Sequence, residues 1–95
     1  MVFDWDDANV NHIRRHQVTP DEAEQAVSIS TVDVTRQFYA GEERFMQVGC
    51  TARMRILVVV TTWRGDLIRV VTAYPAPAAL QQFYWKERNE SYGGE

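Results

Sequence analysis

Apolar side chains change their spacing along this chain, and the changes divide it into elements. Val2-Phe3-Asp4-Trp5 alternates apolar and polar, which predicts a short first strand. Asp6 is suited to cap a helix running to about His16. In Thr19-Pro20-Asp21-Glu22 the Thr is an N-cap, the Pro opens the first turn and the Glu returns to the cap, so a second helix is expected from Pro20 to about Ser28. Ala23, Ala26 and Val27 form its apolar stripe. From Ile29 the period shortens to two. Strands are expected over Ile29 to Thr35, Arg44 to Thr51, Arg55 to Trp63 and Leu67 to Tyr74, with turns at Gly41-Glu42-Glu43, at Ala52-Arg53-Met54 and at Gly65-Asp66. The unbroken run Ile56-Leu57-Val58-Val59-Val60 belongs in the middle of a sheet. Pro75 and Pro77 end the last strand, and a closing helix follows from Pro77 to about Arg88.

The resulting order is β-α-α-β-β-β(-β)-α. It predicts an α+β fold in which two N-terminal helices and a C-terminal helix accompany one antiparallel sheet. Residues 1–95 read as a single domain, with a frayed tail from about residue 89. A chain of this size buries roughly 60–65% of its unfolded surface, so its core is thin. The longest apolar run is far short of the ~20 residues of a membrane helix. The opening Met-Val-Phe-Asp-Trp-Asp-Asp is acidic where a secretory signal is basic, which leads us to expect a cytoplasmic protein. The Arg64-Gly65-Asp66 triplet sits in hairpin context and reads as turn chemistry, not as an adhesion motif.

Charge sharpens the picture. The formal net charge is −3, which argues against strong nonspecific nucleic-acid binding. Yet nine of the ten basic residues are arginine, the side chain whose planar fork suits phosphate and carboxylate. Between Arg69 and Lys86 there is no charged residue, so this stretch either packs against something or presents an uncharged site.

Candidate chemistry concentrates in His12-Ile13-Arg14-Arg15-His16. The two histidines stand four residues apart and share a helix face. That is half of a zinc site, but no third histidine completes it and Cys50 is alone, so neither a metal nor a cofactor is expected. Two imidazoles beside Arg14 and Arg15 suit an anion or an RNA backbone; the alternative is a polar helix face with one histidine half buried. Most aromatic residues are expected in the core, with Tyr74 and Tyr84 singled out as exceptions.

Taken together, the Phe3-to-Asp6 start, the His16-to-Ala23 helix junction, Gly41-Glu42-Glu43-Arg44-Phe45, and the hairpin from Val59 to Ala73 resemble the BrnT family of toxins. The resemblance runs from Phe3 to about Lys86. It implies a RelE-like fold, an RNA-cleaving activity that stops translation, and a ribbon-helix-helix antitoxin of the BrnA type that represses the shared operon. DNA would be contacted only through that antitoxin, and a homodimer is left open. Carried onto this chain, the resemblance assigns catalytic roles to His16, Arg64, Arg69 and Tyr84; Tyr74 is added as a compensating hydrogen-bond donor, and His12, Arg14 and Arg15 are expected to bind substrate from their own chemistry. The tail departs from the family pattern. Tyr74 replaces a usual arginine and Leu80 a usual glutamate, while Tyr84 matches. If those charges serve catalysis, losing one electrostatic donor costs on the order of 10²–10³ in rate. The alternative expectation is therefore a catalytically weak protein that acts mainly by binding its antitoxin.

Overall fold

Both N-terminal helices begin at the capping residues read from the sequence. The computed structural model describes residues 1–93. In α1 (Asp7–Arg14) the Asp6 carboxylate accepts the Asn9 N–H at 3.2 Å, and the Asn9 side chain accepts the Asp6 N–H at 2.8 Å. In α2 (Pro20–Ser28) Thr19 and Glu22 exchange the corresponding pair of bonds. These reciprocal bonds satisfy donors that a helix start otherwise leaves open. α1 stops two residues before His16. Gln17 takes a left-handed φ of 62°, and the Val18 N–H reaches back to the Ile13 carbonyl at 3.2 Å. This is a Schellman-type stop, fastened by two fully buried apolar residues, Ile13 and Val18.

Four strands follow: β1 (Thr31–Tyr39), β2 (Glu42–Cys50), β3 (Ile56–Arg64) and β4 (Leu67–Pro75). They pair antiparallel in the order β1-β2-β3-β4. Ala40 and Gly41, at φ 52° and 79°, make a two-residue turn with both central residues left-handed, which matches the strand twist. Gly41-Glu42-Glu43 was expected as the turn, but Glu42 and Glu43 already belong to β2. The expected first strand shrinks to a single parallel bridge between Phe3 and Ile68, because the chain turns into the α1 cap at Asp6. The closing helix, α3, spans Ala78–Gly93. The tail expected to fray from about residue 89 thus lies partly within α3, and its last two residues fall outside the described residues.

The two helical layers explain the solid apolar run in β3. Leu57 and Val59 point into a core with Ile13, Val18, Ala23, Ala26, Val27, Val70 and Ala73, beneath α1 and α2. Ile56, Val58 and Val60 point the other way, toward Val48, Cys50, Ala76 and Tyr84. A strand covered on both faces needs no polar alternation. The uncharged tail packs here: Ala76, Leu80 and Tyr84 join this second core.

An ion pair ties the layers at one end. Arg55, opening the path into β3, donates to both Glu22 oxygens at 3.0 Å and to the Gln17 carbonyl at 2.8 Å. Burial opposes ionisation of Glu22, but the Thr19 N–H and the Arg55 guanidinium outweigh it and hold the carboxyl below its ordinary value. The stability contributed is fully present above the unfolded-state value of about 4.3 and is lost as pH falls through the lowered folded value. Denaturant midpoints measured from pH 6 to pH 3 should therefore fall at the acid end. Glu22→Gln should flatten that dependence, at a cost of no more than about 1 kcal/mol at neutral pH.

Candidate active site: a histidine–arginine cleft beside β4

A bulge in β4 builds the site. Thr61 pairs with Val70 and Val60 with Thr72, so Val71 is left over between them. Without it, Arg69 and Thr72, three residues apart, would point to opposite faces of the sheet. With it, Arg69, Thr72 and Tyr74 all share the face that carries Val58 and Val60. In β2, Arg44 and Glu42 lie two and four residues before Met46 and so turn to this same face, as Arg64 does at the end of β3. α3 packs over the end of this face that carries Ile56, Val58 and Tyr74, and the end that carries Arg44, Arg64 and Arg69 stays open.

In that opening is a cleft of about 240 Å³ lined by Ala8, Asn9, His12, Arg44, Arg64, Arg69, Val70 and Val71. His12 enters from α1, and its Nε2 lies 3.0 Å from the Thr72 hydroxyl, a hydrogen bond that fixes the ring. The His16 ring stands edge-on to His12 at 5.5 Å and tilts against Tyr74 at 6.0 Å. Asn9 is buried and donates to the Asp4 and Val70 carbonyls, which holds α1 to β4. A larger cavity, about 360 Å³, opens on the other face between α2 and the strand ends, but its walls carry no imidazole or guanidinium. The smaller cleft is therefore the candidate site.

Every guanidinium in the cleft has a carboxylate partner. Glu42 holds two of them, Arg44 at 3.1 Å and Arg64 at 3.2 Å. Arg69 is held by Asp4 at 3.3 Å and by Asp6 at 3.1 Å. The hydrogen bond from Arg69, with the Asn9 N–H second, keeps the Asp6 carboxyl below its ordinary value, and Asp6 in turn holds Arg69 more firmly charged. Arg69 thus fastens the start of α1 to β4 as well as facing the cleft.

Of the residues singled out in the sequence, His12, Arg64 and Arg69 meet in the cleft, with His16 and Tyr74 beside His12. Arg14 and Arg15 are exposed and do not line it. Tyr84 stands apart from the cleft: it is 1% exposed in the second core, and its hydroxyl is 2.6 Å from that of Ser30. Arg44 and Glu42 were missed, because Glu42 was assigned to the Gly41-Glu42-Glu43 turn. The available signal was the alternation Glu42, Arg44, Met46, Val48, which sets both on the face of the apolar residues. Among the described residues no group of three or more His, Cys, Asp or Glu is placed to hold a metal ion. No helix in them is long and apolar enough to cross a membrane.

A family model described as the ribonuclease toxin BrnT of type II toxin–antitoxin systems matches residues 5–79. The match runs from Trp5 to the second residue of α3 and includes every residue that lines the cleft. No curated protein matches the chain.

Proposed function

The chain belongs to the BrnT family of ribonuclease toxins of type II toxin–antitoxin systems, and on that premise we propose that it cleaves RNA without a metal at the cleft beside β4 and thereby halts translation. The observation that carries this reading is the sharing of one open cleft by the His12 imidazole and the guanidiniums of Arg44, Arg64 and Arg69. Cleavage of this kind forms a bond from the 2′-oxygen to phosphorus and breaks the bond to the 5′-oxygen, leaving a cyclic phosphate and a 5′-hydroxyl. One group must take the 2′-proton and another must supply a proton to the leaving oxygen. The paired rings of His12 and His16 are the groups we assign to these two transfers. Arg64 and Arg69, with Arg44 beside them, would hold the phosphorane oxygens, where a preorganised donor is typically worth 10²–10³ in rate. Tyr74 stands beside His16 and would donate a hydrogen bond in place of the arginine usual at that position.

A type II toxin has a protein antitoxin as partner. We propose that this one is a ribbon-helix-helix protein of the BrnA type, which neutralises the toxin in the cytoplasm and carries the DNA contact for both. A second reading is favoured by the charge balance of the cleft. Three guanidiniums already satisfied by Glu42, Asp4 and Asp6 are less available to a phosphate, which suits a weak catalyst retained for antitoxin binding. One experiment separates the two. Inducing the protein alone should arrest growth, co-expressed antitoxin should restore it, and Arg64→Ala should abolish the arrest through a loss of about 10²–10³ in cleavage rate. Normal growth under strong induction, with tight co-purification of a small DNA-binding partner and no RNA cleavage at high protein concentration, would establish the second reading instead.

A further inference from the structure

Beyond the cleft, the same sheet face continues to the tip of the β1–β2 hairpin. Tyr39 pairs with Glu42 across the two-residue turn, so the two side chains share a face, and Arg44 is the next residue of β2 on it. The Arg44 guanidinium lies 4.8 Å above the Tyr39 ring centroid while also lining the cleft. Glu42 fixes Arg44 from the side, and the left-handed turn at Ala40 and Gly41 matches the twist of the two strands it joins. Tyr39 is nonetheless 65% exposed. A large flat side chain held in place by a neighbouring cation, yet left in water, contributes little to the core. Its position suits a different task.

We infer that Tyr39, steadied by Arg44, is a stacking platform for an unpaired RNA base next to the phosphodiester in the His12–Arg64–Arg69 cleft; this rests on the ribonuclease reading and deepens it. The two groups of contacts divide the nucleotide between them. Guanidiniums take the phosphate, which ties that part of the affinity to salt through counterion release. Tyr39 takes a base, through π contact that any base can make and that does not depend on salt. The ligand class follows: single-stranded RNA, since the bases of a duplex already have their faces covered.

The test measures binding of a non-cleavable single-stranded oligonucleotide, with 2′-deoxy at the scissile position, by fluorescence anisotropy across a salt series. Tyr39→Ile keeps strand propensity and apolar bulk but removes the ring. It should weaken binding about ten- to hundredfold with an unchanged slope of log affinity against log salt. Tyr39→Trp should bind at least as tightly as the unaltered protein. Arg64→Ala should instead reduce that slope by about one. If Tyr39→Ile binds as tightly as the unaltered protein while Arg64→Ala shows its reduced slope, the stacking inference is overturned and the ribonuclease reading stands. If the unaltered protein binds no single-stranded RNA at all, both fall together. A matching weakening of duplex binding in Tyr39→Ile would also overturn the inference, since it would mark a general distortion of the hairpin.

Discussion

Substituting His12 by alanine is expected to slow RNA cleavage by roughly 10²–10⁴-fold while leaving the fold intact. The expectation rests on where the ring stands. His12 is the only histidine that lines the cleft, and the Thr72 hydroxyl holds its Nε2 at 3.0 Å. Removing the ring deletes one hydrogen bond at the edge of the sheet, which costs about 1 kcal/mol of stability. Far-UV spectra and a thermal melt should therefore barely change when single-turnover cleavage collapses. The pH profile should change shape too. A two-group mechanism gives a bell, and the variant should lose one of its limbs. Thr72→Val, which keeps the ring but frees it to turn, should show a smaller loss and retain both limbs. Wild-type cleavage by His12→Ala would remove His12 from the reaction and leave its bond to Thr72 as a purely structural tie.

The largest expected effect on stability belongs to a glycine far from that chemistry. Gly49 lies in β2, paired with Thr31 on one side and Leu57 on the other. A methyl group added to it would overlap the carbonyl and Cα of Ala26 in α2. These are main-chain atoms of a buried helix and cannot swing aside as a side chain would. The helix would have to lift from the sheet and open the core formed by Ala23, Ala26, Val27, Leu57 and Val59. Overpacking of this kind exceeds the usual 1–3 kcal/mol, so we expect Gly49→Ala to cost at least about 3 kcal/mol. In a domain of this size that lowers Tm by roughly 12 °C or more, a large part of its whole stability. Trimming the neighbour should not help: Ala26→Gly leaves the obstructing carbonyl in place. An unshifted melting temperature in Gly49→Ala would show that α2 does not sit on β2 as described.

Local grammar made most of the architecture legible from sequence. Asp6 and Thr19-Pro20-Asp21-Glu22 mark both helix starts because capping is decided within four residues. The apolar run of β3 marks an inner strand because both of its faces are covered. What escaped depends on partners distant in the chain. Arg69 looks like a free strand arginine until Asp4 and Asp6, more than sixty residues earlier, close on it. Val71 carries no mark of the bulge that re-aims Thr72 and Tyr74, since which residue is extra depends on how β3 pairs with β4. Tyr84 was singled out by its place in a family pattern, and its burial beside Ser30 in the second core could not be read from that pattern. The candidate site was thus half legible: the imidazoles and two arginines could be read, and Arg44 with its tether Glu42 could not.

Because α3 covers the end of the sheet that carries Ile56 and Val58 while the cleft opens at the end that carries Arg44, Arg64 and Arg69, scaffold and chemistry occupy separate ends of one surface. The C-terminal helix contributes to its end of the sheet through Leu80 and Tyr84, which pack within the interior. A change at Leu80 or Tyr84 would be felt first beneath Ile56 and Val58, and would reach the residues proposed to handle a phosphodiester only by way of Tyr74 and its neighbour His16.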